Sequence, residues 1–241
     1  MGRHLQKGFT IIEVMLVLAI TSLMLSTVLN NSSRRVNEQH YREGVESFRD
    51  FLAGTFEDID SVKNDVLGQI KRCNSSPFAG DNTVAWRGSA ECFYSGREVT
   101  ITYDRSSGST KLTSRSVKAF IDPSGATEPQ YIAVMDAREA NLREQDIDWG
   151  VGAMQPKPHS NNGYSNYKMR IIRNPKSGAK IFQIQDSAGG TWRTPENNII
   201  FCMKNPFYND NQWQMVTVDK NAINSSGITT NNGRDSCGVN T

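Results

Sequence analysis

Between Phe9 and Leu29 the chain reads Phe-Thr-Ile-Ile-Glu-Val-Met-Leu-Val-Leu-Ala-Ile-Thr-Ser-Leu-Met-Leu-Ser-Thr-Val-Leu, with Glu13 its only charge and Arg34 the next one along. As a helix rising about 1.5 Å per residue, this stretch is roughly 31 Å long, close to the ~30 Å hydrocarbon core of a bilayer. Three readings fit such a run: a cleaved secretory signal, a plain membrane anchor, or an anchor that also assembles with other copies. A secretory signal has a shorter apolar region of roughly 7–15 residues, followed by an Ala-x-Ala-like site. Here the run is longer, an acid interrupts its start, and the small residue precedes it as Gly8, after a polar leader carrying Arg3 and Lys7.

Lys7-Gly8 followed by Phe9-Thr10-Ile11-Ile12-Glu13 resembles the processing site of type IV prepilins and pseudopilins. The resemblance implies cleavage after Gly8 by prepilin peptidase, N-methylation of Phe9, and a Glu at the fifth mature position, which Glu13 fills. It covers about the first 30 residues; the remaining ~200 carry no comparable signature. Physics gives Glu13 a reason of its own. An acidic residue at the centre of a membrane helix costs about 2.5–3.5 kcal/mol on insertion scales. Only four positions past Phe9, it sits near the interface, where the cost is smaller. It is either a headgroup-level acid or one partner of a cation. The resemblance implies the second: the α-amine that cleavage frees on Phe9 of a neighbouring subunit.

The 241 residues suffice for this anchor and one soluble domain. Removing residues 1–8 takes Arg3 and Lys7 from the 27 basic residues, leaving 25 against 25 acidic ones. A near-neutral mature chain offers no global attraction for nucleic acid or anionic lipid. Flanking charge leaves orientation open, since Arg34, Arg35 and Arg42 follow the anchor as Arg3 and Lys7 precede it. The cysteines say more. Cys73, Cys92, Cys202 and Cys237 all follow the anchor, with no Cys-x-x-Cys spacing, and His4, His40 and His159 are isolated, so no metal site is expected. An even count beside an export-type anchor points to two disulfides and an extracytoplasmic domain. Buried free thiols are the alternative reading. Four cysteines allow three pairings; sequence neighbours are expected, Cys73–Cys92 and Cys202–Cys237. The resemblance implies the second, because pilins commonly tie a C-terminal loop to the sheet this way.

After the anchor, Val45, Phe48, Leu52, Phe56, Ile59, Val62, Val66 and Ile70 step by three or four, the apolar stripe of an amphipathic helix. The helix is expected to run on to about residue 60, with Asp60-Ser61 as a break and a second piece to about Lys71. Strand patterns begin near residue 83. Residues 98–104 and 110–121 make a hairpin, Tyr131–Met135 a short strand, 167–174 and 179–185 a second hairpin across Pro175–Gly178, and Ile199–Met203 and Trp213–Val218 two more strands. Residues 145–166, rich in Gly, Pro and Asn, read as a long loop. The tail from Asn221 would be loose unless Cys237 pins it. The fold class expected is α+β, a long N-terminal helix on a mostly antiparallel sheet, which is also the pilin architecture. The division is leader 1–8, transmembrane and assembly helix 9–29, amphipathic continuation 30–72, and a β-rich extracytoplasmic domain 73–241.

No catalytic or cofactor motif is present: no Gly-x-Ser-x-Gly, no His-Glu-x-x-His and no Walker loop. Gly233-Arg-Asp-Ser-Cys-Gly238 reads better as a tail loop closed by Cys237 than as a nucleophile loop. Lys168, Arg170, Arg173, Lys176 and Lys180, with Tyr164 and Tyr167, form a candidate DNA contact on the second hairpin. Lysines on hairpins are also routine protection against edge pairing. The expectation is a structural, minor pilin-like subunit, with membrane lipid, prepilin peptidase and other pilin subunits as partners. A pseudopilin of a type II secretion-type system, or an anchored adhesion or DNA-binding protein sharing the leader, are the alternatives.

Overall fold

The computed structural model describes residues 10–59, 71–73, 80–84, 92–104, 109–120, 130–133, 142–147, 151–153, 167–174, 176–185, 191–204, 213–232 and 237. One helix, α1 (Ile11–Glu57), runs from the apolar stretch into the amphipathic one without a break. No proline lies within it and its first glycine is Gly44, so nothing in the backbone ends it earlier. The polar residues after Leu29 leave it intact; Ser33 Oγ folds back to donate to Leu29 O at 3.1 Å. Asp58 N–H closes the last turn on Gly54 O at 3.0 Å.

The chain forms two compact units, residues 1–42 and 43–241. In the first, the helix keeps the apolar side chains between Ile11 and Leu29 in the open: Ile11 is 77% exposed and Leu23 69%. In the second, Val45, Phe48, Phe51, Leu52 and Phe56 are buried, as is Ile59 just beyond the helix. The expected stripe is therefore the core face, with Phe51 added to it. Val62, Val66 and Ile70, and the second helical piece expected there, lie outside the described residues.

Among the described residues, twelve strands follow: β1 (Lys71–Cys73), β2 (Gly80–Val84), β3 (Cys92–Asp104), β4 (Ser109–Phe120), β5 (Gln130–Ala133), β6 (Arg143–Ile147), β7 (Gly152–Ala153), β8 (Tyr167–Arg173), β9 (Lys180–Gln185), β10 (Ile199–Lys204), β11 (Trp213–Val218) and β12 (Ile228–Asn232). All pair antiparallel. β1 and β2 stand as a pair, while β5-β4-β3-β8-β9 and β12-β11-β10-β7 form the two larger sheets. β4 is long enough to pair with β5 through Val117–Phe120 and with β6 through Thr110–Ser114. The α+β expectation and both hairpins match this arrangement.

Phe201 on β10 joins the helix to both large sheets. Its ring stands edge-on to Phe48 of α1 at 5.3 Å and to Tyr167 of β8 at 5.6 Å. Two turns further on, Phe56 packs on Phe182 of β9 at 5.9 Å. Burying each such ring is worth about 1.5–3 kcal/mol. Beyond the end of the helix, the buried Arg97 donates to Ser114 Oγ at 3.1 Å and stands 3.8 Å from Asp58.

The segment 145–166 departs from the expected loop, because β6 and β7 lie partly within it. β6 reads Arg-Glu-Gln-Asp-Ile, with one apolar residue and no apolar alternation, so its pairing with β4 leaves little trace in sequence. Its inward side chains lie against α1 instead. Gln145 Nε2 donates to Ser47 Oγ, and the Arg143 guanidinium sits 5.0 Å over the Phe51 ring. Small residues permit this approach: a Cβ on Gly44 would lie 2.8 Å from Val151 Cγ2. Thr110 Oγ1 then pins β7, donating to Val151 O at 3.1 Å and accepting from Ala153 N–H at 3.0 Å. The tail is also more ordered than its composition implies, for β12 pairs with β11 along Ile228–Asn232. β1 lies before residue 83, where strand pattern first becomes readable, and β2 begins before it; both are short, and Lys-Arg-Cys and Gly-Asp-Asn-Thr-Val show no alternation.

Candidate processing and assembly site

Gly8 and Phe9, the expected cleavage and methylation positions, lie outside the described residues. The described chain opens at Thr10, and there the sequence encodes a feature that charge placement alone misses. Thr10-Ile-Ile-Glu13 is a capping box, in which the first residue's hydroxyl and the fourth residue's carboxylate satisfy each other's backbone donors. Glu13 N–H donates to Thr10 Oγ1 at 3.3 Å, and Thr10 N–H donates to Glu13 Oε2 at 3.4 Å. Glu13 is thus held at the first turn, where a negative charge also opposes the positive end of the helix dipole. The signal was available as Thr-x-x-Glu before an apolar run.

From Ile11 to Leu29 every side chain is exposed. Among the described residues α1 is the one helix long and apolar enough to cross a bilayer, and none of its most apolar window is buried. Its hydroxyls do not spoil that character. Thr21 donates to Val17 O at 2.9 Å, Ser22 to Leu18 O at 2.7 Å and Thr27 to Met24 O at 2.8 Å, so each donor is satisfied within the helix. Such a surface is stable only against lipid or against other apolar helices.

At the other end of the chain, Cys202 and Cys237 form a disulfide with Cα atoms 5.6 Å apart. It completes a small cluster with Trp213, Ile200 and Met215 on the β10-β11 face opposite Phe201. The tail is pinned as expected. The side chains of Cys73 and Cys92 lie outside the described residues, and so does that pairing. Among the described residues no group of three or more His, Cys, Asp or Glu could hold a metal.

The basic hairpin does not gather into one patch. Arg173 faces Lys180 across the ladder, and the two-residue period puts Lys168 and Arg170 on the opposite face of the sheet. Arg170 is buried, donating from Nε to Gln183 Oε1 at 2.8 Å with its guanidinium 4.1 Å over Trp192. Lys168 Nζ stands 3.9 Å from Glu98. Burial pushes the Glu98 carboxyl above the usual carboxylate range, against the opposing pull of Lys168, Arg170 and Arg115. Lys180 Nζ donates to Ile223 O at 3.1 Å, tying β9 to the tail. Lys176 is exposed in the turn, Tyr167 is buried in the core and Tyr164 lies outside the described residues.

Residues 3–29 match the family model for the prokaryotic N-terminal methylation motif. No curated protein and no solved structure matches the chain. The matched residues span the leader, the Gly8–Phe9 junction, the capping box and the exposed apolar helix. The motif implies processing by prepilin peptidase and assembly with other pilin subunits, and it supports a membrane-anchored, type IV pilin-like or pseudopilin precursor. The chain carries, at residues 3–29, the leader of type IV prepilins.

Proposed function

We propose that this chain is a structural, minor pilin-like subunit of a type IV pilus or related filament, with no reaction of its own. It is made as a single-pass membrane precursor, cut between Gly8 and Phe9, and built into the filament through its N-terminal helix. The observation that carries this reading is the apolar surface of Ile11–Leu29, wholly exposed within its own chain and beginning at the methylation motif. Lipid covers it before assembly and neighbouring helices cover it after. The Cys202–Cys237 disulfide favours an oxidising, extracytoplasmic location for the folded domain. The domain is larger than a typical major pilin's, which favours a minor subunit.

Glu13 is assigned to the Phe9 amine of a neighbour. The capping box offers a purely local role, and two substitutions separate the roles. Glu13→Gln keeps the box, because Gln serves at that position as Glu does, but removes the charge. Glu13→Val removes both and makes insertion easier. Leaving a buried amine without its partner costs about 3–5 kcal/mol, less where headgroups or water reach it. Both variants should therefore accumulate in the membrane, cleaved after Gly8, and be depleted from sheared filaments. Normal incorporation of Glu13→Gln would reduce Glu13 to a helix cap.

A further inference from the structure

We draw no further inference here: the strongest candidate, the outer edge of β12 (Ile228–Asn232), an uncharged strand at the border of its sheet, carries nothing, because no feature of the described residues shows what covers it.

Discussion

Residues 11–29 and 43–57 belong to one helix, yet they obey different rules. In the later segment Val45, Phe48, Phe51, Leu52 and Phe56 are buried against the sheets, and charged residues occupy the remaining face. In the earlier one, Ile11, Leu18, Leu23 and Leu25 are 59–77% exposed, and no stripe is distinguished from the rest. An amphipathic helix buries one face in its own domain; a helix apolar all round requires a solvent other than water. The comparison separates what this chain satisfies for itself from what it leaves to its surroundings. The folded domain closes its own core, while the N-terminal segment is completed only by lipid or by neighbours.

The sharpest way to break that contrast is to trim one large apolar residue from each segment. Phe48→Ala removes the ring against Phe201 and should destabilise the folded domain by about 3–5 kcal/mol in thermal unfolding of the detergent-solubilised chain. Leu23→Ala, measured alike, should leave that unfolding within about 0.5 kcal/mol of the parent. Comparable losses from both would show that the apolar segment is folded against its own chain. A slightly smaller effect is expected at the tail. Replacing both Cys202 and Cys237 by Ser opens a 35-residue separation and should cost on the order of 3–4 kcal/mol in the chain-entropy model. Peptide mapping without reduction should recover the native cross-link in the parent protein.

The smallest effect concerns a charge that the domain buries for itself. Glu98 binds its proton more tightly folded than unfolded, because burial disfavours its carboxylate. Its contribution to stability is therefore fully present below the ordinary carboxylate range and is lost as pH rises through the raised folded value. Glu98→Gln should flatten the stability profile across that window and leave the rest unchanged. A variant whose profile overlays the parent would mean that Lys168, Arg170 and Arg115 cancel the burial.

What the sequence revealed followed from how strongly periodicity and turn chemistry marked each part. The Val45–Phe56 stripe, the Tyr167–Gln185 hairpin and the apolar run of β10 are all readable because apolar residues recur at the spacing that the element imposes. β6 escaped notice because it is held by Arg143 and Gln145 reaching α1 at Gly54, Phe51 and Ser47, contacts distant in sequence. Apart from its expected pinning by Cys237, the tail read as loose because Thr229, Thr230, Asn231 and Asn232 are polar; pairing with β11 orders them. At the candidate site, Gly8, Phe9 and Glu13 stood out by their resemblance to the prepilin processing site, whereas Thr10 was passed over as one polar residue among apolar ones. The basic hairpin misled for a geometric reason: alternate residues of a strand face opposite ways, so a run of cations need not make a surface.

The central claim is that the apolar half of α1 starts a mature, assembling chain. Mass spectrometry of the N-terminal peptide, from protein taken from membranes and from sheared filaments, tests it most directly. The account predicts a single mature terminus at Phe9, with a methylated amine, in both fractions. A chain that retains Met1, or one that begins after the apolar segment, would contradict it.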